Sequence, residues 1–127
     1  MLEMKDTAFI CRNATAKSLI LIDELGRATS NEDGVAIAWA VSERLLQSNA
    51  ITFFVTHYPQ VTMLANMYSS VQNQHLEASV GQGEGGEILY THKVSTGPCS
   101  VSASYGVELA YACGWPSAVL DEVSRVS

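Results

Sequence analysis

The spacing of apolar residues alternates along the chain between helical and extended periods, and the changes outline its elements. Over residues 1 to about 13, Met4, Ala8 and Cys11 recur at helical spacing, with Lys5, Asp6 and Arg12 elsewhere on the cylinder. That pattern predicts a helix. Ser18-Leu19-Ile20-Leu21-Ile22 is then a continuous apolar run, which predicts a strand buried on both faces, as in a parallel sheet. Gly26 to Asn31 predicts a turn. Thr29 with Glu32, or Ser30 with Asp33, offers a capping box for the helix that follows. That helix runs from about Glu32 to Gln47, and its apolar stretch from Val35 to Val41 implies deep burial. A second apolar run, Ile51-Thr52-Phe53-Phe54-Val55-Thr56, completes a strand–helix–strand order. Such a unit places its strands parallel and crosses over right-handed.

The second half changes character. A short helix over Gln60 to Ala65 is expected after His57 and Pro59. Residues 70–79 and 87–94 read as an antiparallel pair, joined by the flexible loop Gly81-Gln82-Gly83-Glu84-Gly85-Gly86. Two helices, roughly Ser104–Cys113 and Pro116–Val126, close the chain. Gly114 suits the stop of the first and Pro116 the first turn of the second. The fold class expected is α/β: a partial sheet with parallel strands, a β-hairpin extension and a C-terminal helical pair.

Composition narrows the functions open to this pattern. The 127 residues are 47% hydrophobic, enough for one packed body. The net charge is −6, and the seven Lys and Arg are scattered rather than clustered. A surface that grips phosphates directly needs clustered positive charge, so this segment is a poor place for DNA contact. Cys11, Cys99 and Cys113 fit no zinc spacing and no secretory signal precedes them, which suggests a reducing, intracellular setting. No apolar run reaches membrane-spanning length. The chain opens directly into a helical pattern, as a piece of a longer protein would.

The chemistry lies at strand ends. Leu19-Ile20-Leu21-Ile22 runs straight into Asp23-Glu24, and open α/β sheets collect ligands at the carboxyl ends of their strands. Neighbouring side chains on a strand point to opposite faces, so the two acids should have different tasks. Asp23 suits Mg²⁺, directly or through water. Glu24 suits polarising a water for attack on a γ-phosphate. The bland alternative is a strand that ends in two solvated acids. His57 follows the second strand. If the strands are neighbours, it emerges at the same edge as Glu24, where an imidazole could hydrogen-bond a γ-phosphate.

Taken together, the motifs resemble those of the MutS mismatch-repair ATPases. They are Leu-Ile-Asp-Glu-Leu-Gly-Arg-Ala-Thr-Ser over residues 21–30, Asp33-Gly34, Ala38-Trp39-Ala40, and Phe54-Val55-Thr56-His57-Tyr58. The match extends from Met1-Leu2-Glu3-Met4 to Ser104-Tyr105-Gly106-Val107-Glu108-Leu109-Ala110 and Gly114-Trp115-Pro116. The resemblance implies part of an ABC-type P-loop sheet, with ATP and Mg²⁺ as cofactors. In it, Asp23 and Glu24 end the Walker B strand and His57 is the switch histidine. Gly26, Arg27, Thr29 and Ser30 belong to the loop that faces the nucleotide site of a second MutS-type subunit. Residues 1–98 would be the C-terminal part of the ATPase domain and 99–127 a helical dimerisation region. DNA contact would fall to other domains, and the setting would be nuclear in a eukaryote and otherwise cytoplasmic. Ala28, where repair members usually carry glycine, and Met4-Lys5-Asp6-Thr7-Ala8-Phe9-Ile10 resemble the meiotic subfamily called MutS homologue four, which pairs with homologue five. Alanine avoids backbone conformations open to glycine, so the loop is expected to differ subtly.

No Gly-x-x-x-x-Gly-Lys-[Ser/Thr] occurs in the sequence. That loop cradles the phosphates, and family order puts it upstream of Met1. The chain alone is therefore expected to hydrolyse no ATP. The competing expectation is a non-catalytic, truncated module that only binds a MutS-type partner. Two other spellings fall short. Gly81-x-Gly83-x-x-Gly86 lacks the following helix of a dinucleotide fingerprint. His75-x-Glu77 with Pro98-Cys99 has Ser102 where a zinc deaminase needs its second cysteine. Tyr105, Gly106 and Trp115 read as packing residues.

Overall fold

The computed structural model describes residues 2–80, 88–99 and 105–126. Within these, the chain forms two compact units, Met1–Val71 and Gln72–Ser127.

The first unit is built on the expected strand–helix–strand. Helix α1 spans Leu2–Asn13, strand β1 Leu19–Asp23, helix α2 Asn31–Ser48 and strand β2 Ile51–Val55. The strands pair in parallel, with Leu19 opposite Ile51 and Asp23 opposite Val55. A 3-10 turn, Pro59–Met63, and a short helix α3, Leu64–Met67, follow. The 3-10 turn takes the place of the first part of the helix expected over Gln60 to Ala65. Pro59 starts it, where the missing amide costs nothing. Helix α2 begins at Ser30, whose Oγ accepts the Asp33 amide at 3.2 Å, so of the two possible caps the serine is used. It ends on Asn49, which adopts the left-handed conformation at φ 54°. Asparagine tolerates that region and alanine does not. Asn49→Ala should therefore lower stability by about 1 kcal/mol in a urea titration.

The core of this unit lies on one face of the strand pair. Ile20, Ile22, Leu25 and Leu45 are buried together, with Ile10, Ala14, Ile37 and Phe54 packed against them. A second cluster gathers Ala38, Tyr58, Val61 and Leu64, with Val35, Trp39, Tyr68 and Val71 around it. Tyr68 also donates to Glu43 at 2.9 Å, and that bond, with burial and the nearby charge, raises the phenol above its ordinary range.

Three expectations are corrected here. The first strand is buried on one face only. Leu19 and Leu21 are 66% and 71% exposed, beside exposed Ile51, Phe53 and Val55 on β2. Within this unit both helices that pack on the strands take the Ile20–Ile22 side, so the run of apolar residues is not a sign of two covers. Helix α2 is less deeply set than its sequence implies. Ala38 is fully buried, but Val35, Ile37 and Val41 are half-buried and Ala36 and Ala40 exposed. Of the stripe Met4, Ala8 and Cys11, the last two are half-buried and Met4 is exposed, while Ile10 of α1 and Ala14 just past its end pack against the core. Near the start of this helix, Glu3 accepts the Gly26 amide at 2.9 Å.

The second unit holds the expected hairpin strands, β3 (Gln74–Val80) and β4 (Ile88–Thr96), antiparallel with Leu76 opposite Val94. The register shifts between Leu76 and Ala78, a bulge in the ladder. Helices α4 (Tyr105–Ala112) and α5 (Ser117–Val126) form the C-terminal pair, with Ala110 and Leu120 buried. Gly114, at φ 68°, makes the stop between them, and the Pro116 carbonyl accepts the Val119 and Leu120 amides of α5. The loop from Gly81 to Gly86, and Ser104, lie outside the described residues. Trp115 is 52% exposed, so it does not pack as expected within its unit. Compactness divides the chain after Val71.

Candidate functional site: the shared edge of the parallel strands

Parallel pairing brings the carboxyl ends of β1 and β2 to one edge. Asp23 sits opposite Val55, and the Glu24 amide extends the ladder to the Val55 carbonyl at 2.9 Å. His57 follows two residues later. Asp23, Glu24 and His57 thus leave the sheet at the same end, as the strand order implies. Asp23 and His57 are exposed, and Glu24 is half-exposed.

Glu24 is not a simple continuation of the strand. Its φ is 48°, a left-handed conformation that a non-glycine residue adopts at a cost. The bend turns the chain sharply. The Arg27 amide donates back to the Glu24 carbonyl at 3.2 Å, and the Arg27 guanidinium donates to Glu24 Oε2 at 2.7 Å. This ion pair is 76% exposed on the arginine side, so water screens it and its worth to the fold is small. Its chemical effect is to occupy one oxygen of the Glu24 carboxylate. Leu25, only 1% exposed, anchors the bend in the core.

The loop beyond is held at Gly26. Its amide donates to Glu3 Oε1 at 2.9 Å, and its carbonyl accepts the Tyr58 hydroxyl at 3.1 Å. Its φ of 89° requires glycine. The Thr29 amide donates to the same carbonyl at 3.2 Å. Ser30 is committed to the helix start: its hydroxyl caps the Asp33 amide and donates to Asp33 Oδ2 at 2.8 Å. Arg27, Ala28 and Thr29 are exposed. Ala28 does not adopt a positive φ, so this loop makes no use of the freedom that glycine would bring there.

Glu3, Asp23, Glu24, Arg27 and Ala28 line a shallow depression at the end of β1. Among the described residues no group of three or more His, Cys, Asp or Glu could hold a metal ion. A lone carboxylate such as Asp23 could join Mg²⁺ only in the manner of a nucleotide site. There one carboxylate is joined by phosphate oxygens and water, rather than by an all-protein cage. His75 and Glu77 are engaged within their own hairpin. His75 Nδ1 lies 3.1 Å from the Gly97 carbonyl, and Glu77 accepts the Ser95 hydroxyl.

Three residues of the site, Glu3, Tyr58 and Gly34, stand within the family motifs but were assigned no task from the sequence. Glu3 sat in a helix as an ordinary polar residue. Tyr58 was only the neighbour of His57. Gly34 was a glycine inside a helical pattern, and that is the one clue that could have been used, since such a glycine often marks a close approach. Here the approach is to Tyr58 and Gly26.

Open α/β sheets gather ligands at the carboxyl edge, where this unit carries acids at the tip of one strand and a histidine just past its parallel neighbour. The family model of MutS domain V matches residues 1–127, and the chain belongs to that family. It is a MutS-family ATPase module of mismatch repair, a family that binds ATP and whose members work as dimers with DNA. Among the described residues no helix is long and apolar enough to cross a membrane.

Proposed function

We propose that this chain supplies the hydrolytic edge of an ATP site whose turnover switches a DNA clamp. Asp23 holds Mg²⁺, directly or through water, and Glu24 polarises the attacking water. His57 donates a hydrogen bond to the γ-phosphate and registers its loss. The reading is supported above all by the strand register, which sends both carboxylates and the imidazole out of one sheet edge. Gly26, Arg27, Thr29 and Ser30 form the loop toward a second MutS-type subunit, so dimerisation and hydrolysis are coupled. The exposure of Arg27, Ala28 and Thr29 supports that role. When bound, Mg²⁺ neutralises charge on the phosphates. The chain's own part is to place one carboxylate beside it and another beside the water.

In this reading residues 1–98 serve the ATPase domain and 99–127 serve dimerisation. The phosphate-binding loop lies outside these residues, and other domains of the parent protein contact DNA. The Ala-Thr-Ser of the loop favours the meiotic homologue-four subfamily, with homologue five as partner and a nuclear setting.

The test is a turnover assay on two materials. The purified chain should hydrolyse no ATP. In a protein where this domain is joined to a phosphate-binding loop, Asp23→Asn should raise the Mg²⁺ concentration for half-maximal turnover by about tenfold. Turnover by the chain alone would show that it needs no separate phosphate-binding loop, and an unchanged Mg²⁺ requirement would remove Asp23 from the metal's coordination.

A further inference from the structure

We propose that Tyr58 is a positioning residue that couples the His57 segment to the loop from Gly26 to Ser30, so that a displacement at one is passed to the other. This inference rests on the roles just given to His57 and to that loop.

The ring of Tyr58 is 3% exposed and packs with Ala38, Val61 and Leu64. At one end it adjoins His57, their ring centroids 4.2 Å apart and tilted by 44°. Its amide is pinned by Thr56 Oγ1 at 3.0 Å. At the other end the hydroxyl donates to the Gly26 carbonyl at 3.1 Å. That carbonyl belongs to the residue whose amide Glu3 holds, so both sides of Gly26 are fastened.

There is no slack in this contact. A Cβ at Gly34 would lie 2.1 Å from the Tyr58 hydroxyl and 3.0 Å from the Gly26 carbonyl oxygen. A Cβ at Gly26 would lie 2.9 Å from the Gly34 Cα. Gly34 is needed to admit the hydroxyl, and Gly26 to let the two glycine backbones approach. A phenylalanine would fill the same apolar site without that hydroxyl, so packing alone does not account for the group. Close-packed interiors transmit displacement rather than absorb it. A rigid phenol fixed to the backbone beside His57 therefore acts as a lever, with its far end on the loop. An imidazole that follows a phosphate and a loop that faces a second subunit are thereby joined by one side chain.

The test is a cycle of substitutions on the labelled 127-residue chain, read by amide NMR. His57→Gln should move the amide signals of Gly26, Arg27 and Thr29. In a Tyr58→Phe background the same change should move them at least about threefold less, while the response at Thr56 persists. A purely structural Tyr58 predicts equal responses in both backgrounds, and that result overturns the proposal. Should Tyr58→Phe not fold, the hydroxyl proton of Tyr58 serves in the otherwise native chain. It should shift on His57→Gln, and an unmoved hydroxyl with unmoved loop amides also overturns the coupling. No nucleotide enters the experiment. Its failure removes the lever and leaves the ATPase reading standing, whereas failure of the Mg²⁺ test above leaves the lever intact.

Discussion

Glu24→Gln is expected to lower ATP turnover by at least about a hundredfold in a protein that joins this domain to a phosphate-binding loop, with nucleotide binding retained. Glutamine has the length and shape of glutamate but no charge, so it cannot polarise water or accept its proton. The substitution also breaks the ion pair with Arg27. That pair is exposed and stabilises the fold by less than about 1 kcal/mol, so a folding defect would not explain the loss. The left-handed backbone at residue 24 is present in both forms, and any strain there cancels in the comparison. Single-turnover kinetics separate the steps: binding should be near normal and the chemical step slow. Turnover within a few fold of the native enzyme would mean that another group activates the water.

Gly34→Ala should destabilise the first unit by about 2 kcal/mol, opposite in sign to the usual effect of alanine in a helix. Within a helix the exchange ordinarily gains about 0.5–1 kcal/mol, because glycine loses more backbone freedom on folding. At residue 34 the new methyl meets the Tyr58 hydroxyl at 2.1 Å and its Cζ at 2.8 Å. The tyrosine is buried and cannot swing aside without disturbing Ala38, Val61 and Leu64. Overpacking of this kind costs about 1–3 kcal/mol, and the lost hydrogen bond to Gly26 about 1 kcal/mol more. Gly106→Ala in α4 is the matched control. Among the described residues nothing lies within 4 Å of its would-be Cβ, so it should stabilise by up to about 1 kcal/mol. Urea titrations of the two variants should move in opposite directions. A stabilising Gly34→Ala would show that the Gly26–Tyr58 contact is looser than described.

Local pattern determined much about this protein. Apolar period distinguished the strands from the helices, and β1, α2, β2, the hairpin strands and the C-terminal helices all lie within a few residues of their expected places. The order strand, helix, strand was enough to imply parallel neighbours. Parallel neighbours were enough to send Asp23, Glu24 and His57 to one edge. These features were legible because they depend on near-neighbour spacing and on the two periods of the backbone.

Tertiary contacts decided the rest. That Glu3 would accept the Gly26 amide depends on two residues 23 positions apart. That Tyr58 would reach back 32 positions to the Gly26 carbonyl, and require glycine at 34, is equally invisible to periodicity. The apolar run of β1 reported that the strand could be covered on both sides, but not whether it was. Hydrophobicity records a residue's preference, whereas burial depends on which elements arrive, and within this unit they arrive on one face. Long-range hydrogen bonds and steric fit follow from the path of the whole chain, which no local window of residues contains.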